Sequence, residues 1–198
     1  MYIIVQYIII KVLIFYNEVQ YINIFKALQK NRMWKKIARY FNRYPKRKKL
    51  AKKLLEYGLK VNNNKIYCGE IELSDSKIAR AFNLDRRIIT DTIKTINAKS
   101  DLKKIFSGLK PTCHLKDVAH QMNWGVIEII PEDPSAPGIL ADVATIIADN
   151  KISVRQAIVD DFELSEEPRL FIVTEKQVPG ILIPKIRKVD GVKAVVVY

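Results

Sequence analysis

The chain has 198 residues, 48% hydrophobic and 28% charged, and a formal net charge of +13. That length holds two small domains with a core each, and the composition excludes a disordered chain. Residues 1–123 carry 26 Lys and Arg against 9 Asp and Glu, while residues 124–198 carry 8 against 12, so one half suits a polyanion and the other does not.

The chain opens on an apolar stretch, residues 2–16, broken by Gln6 and Lys11. It falls short of the roughly 20 residues a membrane span needs, and it lacks the charge order and cleavage site of a signal peptide. No membrane partner is expected. Two readings of residues 1–32 stay open: translated sequence upstream of a start at Met33, or a helix or strand packed on the basic domain. From Met33 the period is helical, with Trp34, Ile37, Ala38 and Phe41 on one stripe and Lys35, Lys36, Arg39 and Arg43 opposite. Pro45 suits the first turn of a second helix. Leu50, Leu54 and Tyr57 form its buried face, residues 46–49 with Lys52 and Lys53 its basic face, and Gly58 its stop. Asn62, Asn63 and Asn64 make a turn, and residues 65–73 form one short strand or extended arm.

Residues 74–96 carry the sharpest pattern of the basic half. Ser74 or Asp75 caps a short helix through Phe82, Asn83 takes a left-handed turn, and a second helix runs from Asp85 to Ile96. Ile78-Ala79, Asn83-Leu84 and Ile89 have the look of a helix-turn-helix: a small residue at the crossing, a left-handed residue in the turn, and apolar residues pinning the second helix. Thr92 stands where a larger apolar residue is common. Arg86, Arg87, Thr90, Asp91 and Lys94 then face away from Ile89 and Ile93, as a DNA-reading helix requires, and Lys52 and Lys53 add phosphate contacts. The expected partner is duplex DNA. No hairpin wing is expected after Ile96. The basic domain is therefore bounded at 33–97, and residues 98–123 form a connector of two short helices, 102–109 and 115–122.

Two cysteines, Cys68 and Cys113, are too few for a disulfide framework, which argues for a reducing, cytoplasmic setting. Cys113, His114 and His120 match no zinc spacing, so no metal is expected. The chain has no other histidine, and it shows no nucleophile–base set, Gly-rich phosphate loop or paired acids with a supporting His. No catalytic residue and no cofactor are expected.

Residues 124–198 read as βαββαβ, with strands over 125–130, 152–159, 170–174 and 192–198. The first helix runs from Gly138 to Asp149, with Asn150 as its left-handed cap, and a second, shortened by Pro184, starts at Pro179 or Gly180. The fold class is thus α+β: a mainly α helix-turn-helix domain followed by a ferredoxin-like domain. Glu132-Asp133…Pro137-Gly138-Ile139-Leu140, then Ile152-Ser153-Val154, then Val189-Asp190-Gly191-Val192 resembles an ACT domain, the amino-acid-sensing module of metabolic enzymes and regulators. The resemblance covers 124–198. The loop departs from the family pattern, because Asp133 is separated from Pro137 by Pro134-Ser135-Ala136. The whole chain is similar to archaeal predicted regulators of amino-acid metabolism that join a helix-turn-helix half to such a domain.

That resemblance implies a free amino acid as effector, bound around Asp133, Pro137, Gly138, Ile139 and Ser153, and a homodimer paired through the sheets. The expected function is an amino-acid-responsive, DNA-binding transcription regulator. The alternative is an accessory or regulatory subunit of an amino-acid biosynthetic enzyme whose basic half docks a protein or RNA.

Overall fold

The computed structural model describes residues 33–198; both readings of 1–32 lie outside the described residues. Helix α1 (Met33–Ala38) runs into a 3-10 turn over Arg39–Phe41 and buries Ile37, Ala38 and Phe41. Helix α2 (Pro45–Glu56) opens on its proline and buries Leu50, Ala51, Leu54 and Leu55. Tyr57 departs from expectation: it is 56% exposed, because it is the C-cap, where the helical period ends, and its ring packs on Phe82 instead.

Residues 60–73 depart further from the single strand expected at 65–73. They form an antiparallel meander of β1 (Lys60–Asn62), β2 (Lys65–Cys68) and β3 (Ile71–Leu73). Asn63 and Asn64 both take positive φ, 44° and 61°, the signature of a two-residue hairpin whose twist matches its strands. Gly69, at φ +59°, divides β2 from β3.

Helices α3 (Asp75–Ala81) and α4 (Arg86–Asn97) follow, with Asn83 at φ 52° between them. The Leu84 N–H donates to the Ala79 carbonyl at 2.8 Å and closes the turn. Ser74 is the N-cap of α3, yet its side chain makes no capping bond, whereas the Asp85 carboxylate caps α4 by accepting from the Arg87 N–H at 2.7 Å. Helix α5 (Ser100–Ser107) buries Leu102 and Phe106 in the same core as Ile37, Leu50, Ile66, Ile89 and Ile96. The first part of the expected connector is thus a working part of the helical core. Gly58 marks where the chain returns to it. Its φ is +61°, and a Cβ there would lie 2.3 Å from the Lys110 carbonyl oxygen.

The second connector helix is a 3-10 segment, Lys116–Met122, ending at Asn123 with φ 57°. It leads into β4 (Gly125–Pro131), α6 (Ile139–Asp149), β5 (Val154–Val159), β6 (Leu170–Thr174), a 3-10 turn (Gly180–Leu182) with α7 (Ile183–Arg187), and β7 (Val192–Val197). The strand order β5-β6-β4-β7, antiparallel throughout, is the ferredoxin-like arrangement. Ile127 and Ile129 of β4 meet Val143 and Ile147 of α6 and Ile186 of α7 in its core. After α6 the left-handed residue is Lys151 (φ 54°), not Asn150 (φ −95°). The Asn150 side chain donates to the Ile146 carbonyl and holds the last turn, so the reversal falls one residue later.

The other sheet face holds a buried acid. Glu128 is 2% exposed and accepts from Lys116 Nζ at 3.1 Å, from Tyr198 Oη at 2.5 Å and from Arg169 Nη1. Burial alone would raise its carboxyl, but the hydrogen bonds from Tyr198, Lys116 and Arg169 outweigh that and hold it below the usual carboxylate range. Lys116 spans the connector and the sheet, and it also lies 4.7 Å from the Phe171 ring and 4.6 Å from that of Tyr198.

Two predictions follow from these contacts. Gly69→Ala meets open space and should cost only the left-handed conformation, about 1–2 kcal/mol, whereas Gly58→Ala must also displace the Lys110 backbone and should cost clearly more in urea unfolding. Equal losses would show that this backbone yields freely. The lowered Glu128 pKa contributes stability that is present above the ordinary glutamate value and lost as pH falls through the folded one. Stability should therefore drop below about pH 4. Glu128→Gln should flatten that part of the profile while costing about 3–5 kcal/mol at neutral pH, because Lys116 loses its counter-charge and Arg169 keeps only Glu167.

Candidate nucleic-acid interface and effector pocket

On α4 the residues expected to face DNA divide in two. Arg86, Arg87 and Lys94 are exposed, and Thr90 and Asp91 are half-buried. The Thr90 hydroxyl donates back to the Arg86 carbonyl at 3.3 Å. Asp91 pairs with Arg47 of α2 at 2.6 Å, and that guanidinium also lies 4.2 Å from the Tyr44 ring. Asp91 therefore ties α4 to α2, leaving Arg86, Arg87 and Lys94 as the exposed cations of α4. Ile89, Ile93 and Ile96 pin the opposite side in the core. Thr92 is fully buried there and satisfies its hydroxyl by donating to the Ile88 carbonyl at 2.7 Å. It thus fills an apolar position without leaving a polar group unpaired.

Lys52 and Lys53 are not brought beside that face. Both pair with Glu56, at 3.9 and 2.6 Å, and the hydrogen bond to Glu56 raises the Lys53 ammonium above its ordinary value. With Lys49 they line a groove whose far wall is Asp160, Asp161 and Glu166 of the β5–β6 hairpin. The hairpin is anchored there: Leu164 packs on the helical core, and Glu163 accepts the Trp34 N–H at 2.9 Å.

In the sheet half, Gly138 takes φ +101° and is the N-cap of α6, with no side chain capping the first turn. Gly138 and Ile139 line a cavity of about 110 Å³, open on one side, whose walls come from the loop before α6 and from the base of the β5–β6 hairpin. Asp133 and Pro137 do not line it. The Asp133 carboxylate accepts from the Ser135 N–H at 2.8 Å and hydroxyl at 2.7 Å, which holds its pKa below the usual carboxylate value. Ser153 precedes β5 at the end away from the cavity, about 20 Å along the strand from Val159. Its N–H donates to Glu175. Among the walls that sequence reasoning missed are Val159, Asp160, Arg169 and Leu170, brought together by the pairing of Val159 with Leu170.

Cys113 and His114 are exposed and make structural contacts. The Cys113 carbonyl accepts from the Gln156 amide, and the His114 ring meets Phe171 edge-on at 5.1 Å. Among the described residues no three His, Cys, Asp or Glu are grouped as metal ligands, and no helix is long and apolar enough to cross a membrane.

No protein-family model and no curated protein matches the chain. Among solved structures it is similar to the leucine response regulatory protein of Mycobacterium tuberculosis, at 17% identity over 75% of this chain and 86% of that one, with a TM-score of 0.25. It is also similar to AsnC of E. coli (14%, 63% and 77%, TM-score 0.22). A third is the AsnC-family transcriptional regulatory protein PF0864 of Pyrococcus furiosus (13%, 64% and 77%, TM-score 0.21). Superpositions this loose leave function to be argued from the site itself.

Proposed function

We propose that the chain is a DNA-binding transcription regulator that responds to an amino acid. Its helical half reads duplex DNA through α4, and its ferredoxin-like half dimerises and senses the effector. The observation that carries this reading is α4 itself. A 12-residue helix follows a left-handed Asn turn, is locked on one side by three isoleucines, and offers Arg86, Arg87 and Lys94 to solvent on a strongly basic half. Arg and Lys at that density supply both phosphate neutralisation and guanine-edge recognition. A homodimer joined through its sheets presents two such helices, which reach successive half-sites when about 34 Å apart. An effector that binds one arrangement of the two chains better shifts that separation.

The test is duplex binding by the full chain across a salt series. Affinity should fall steeply with salt, with a slope near 0.9 per neutralised phosphate. Arg86→Ala or Arg87→Ala should cost about 1–3 kcal/mol and relax specificity at one base pair, whereas Lys52→Ala or Lys53→Ala should change duplex affinity little, because both lysines pair with Glu56 and face the acidic hairpin. Asp91→Asn should tighten binding to any duplex, because it removes a carboxylate and frees Arg47. Absence of binding at about 50 mM salt would sink the DNA reading in favour of an accessory subunit of a biosynthetic enzyme.

A further inference from the structure

We propose that the cavity beside Gly138 is the side-chain pocket for one small aliphatic amino acid, with Asp160 as the acceptor of its ammonium group. This rests on the effector reading above and deepens it by naming the ligand class and the residues that select it. The walls are aliphatic: Ile129, Ala136, Ile139, Leu140, Val159 and Leu170. The one cation on the lining, Arg169, has its guanidinium drawn off to Glu128 and Glu167. A charged side chain placed there would lose its hydration without gaining a partner, which is strongly unfavourable.

Size narrows the choice further. The volume of about 110 Å³ is smaller than the roughly 150 Å³ apolar cavity that accepts benzene. It therefore suits the three or four carbons of valine, leucine or isoleucine better than an aromatic ring. Polar groups sit where the rest of such a ligand would emerge. Asp160 lines the cavity and spends one oxygen, Oδ2, on the Arg169 N–H at 3.2 Å, leaving the other for an ammonium. The uncapped first turn of α6 begins at Ile139, on the same wall, and its N–H groups can meet a carboxylate. Asp133, expected among the effector contacts, is occupied by Ser135 and lies off the cavity.

The experiment is calorimetry of the full chain with L-valine, L-leucine, L-isoleucine, L-alanine, L-phenylalanine and L-glutamate, repeated on Ala136→Leu and Asp160→Asn. At least one of the three branched residues should bind. L-alanine should be about tenfold weaker or worse, since each buried methylene is worth roughly fourfold, and L-phenylalanine and L-glutamate should not bind. Ala136→Leu fills the cavity and should abolish binding with the melting temperature unchanged or raised. Asp160→Asn keeps an acceptor for the Arg169 N–H, so it should leave the fold intact and weaken binding at least tenfold.

Glutamate binding as well as leucine, or Ala136→Leu binding at wild-type strength, overturns the pocket assignment while amino-acid sensing survives. No binding by any probe, with Ala136→Leu dissociating a dimer, overturns it in favour of a side chain of a second copy as the occupant. Binding as expected but without effect on duplex affinity supports the pocket and sinks the regulator reading instead.

Discussion

A carboxylate with 2% exposure has to be partnered or neutral, and much of the sheet half is arranged around keeping Glu128 ionised. Its three donors come from three distant stretches: Lys116 from the connector, Arg169 from the start of β6 and Tyr198 from the end of the chain. Satisfying one acid therefore fixes where the connector crosses the sheet, how the last strand finishes, and where the base of the β5–β6 hairpin stands. The last of these shapes the cavity, because Arg169 and its neighbours Leu170 and Asp160 are its wall. Three partners cost the carboxylate its freedom to titrate near neutral pH, so Glu128 serves as an anchor rather than a switch.

What could be read from the sequence was local. Asn83 and Gly58 were legible as left-handed positions because only a few residue types tolerate them, and the isoleucines of α4 were legible because helical period and burial coincide. The βαββαβ order was legible for the same reason, strand by strand. The three-residue β1 was not, since so short a run has no period. Nor was the wall of the cavity opposite Gly138, which depends on Val159 pairing with Leu170 across a loop; register of that kind is set by tertiary packing.

Charge showed the same division between composition and placement. The basic excess of the helical half was plain, and α2 does present a lysine face. Which way that face points was not readable, and it looks toward Asp160, Asp161 and Glu166. Asp91, sequence-wise one of five polar residues on a reading helix, is instead half of an ion pair that aligns α4 with α2. A short acid between two threonines gives no hint of a partner 44 positions away.

Leu164 lies at the tip of a hairpin that belongs to the sheet half, yet it packs on the core of the helical half, with Glu163 beside it holding the Trp34 backbone. Each half is therefore incomplete at its surface without the other. A helical half lifted from this chain and fused to a different sheet domain would carry a bare apolar notch and a lost backbone acceptor. Such a pairing resists modular exchange, so changes at Leu164 and at the helices it touches should be inherited together, as one trait spread over two folding units.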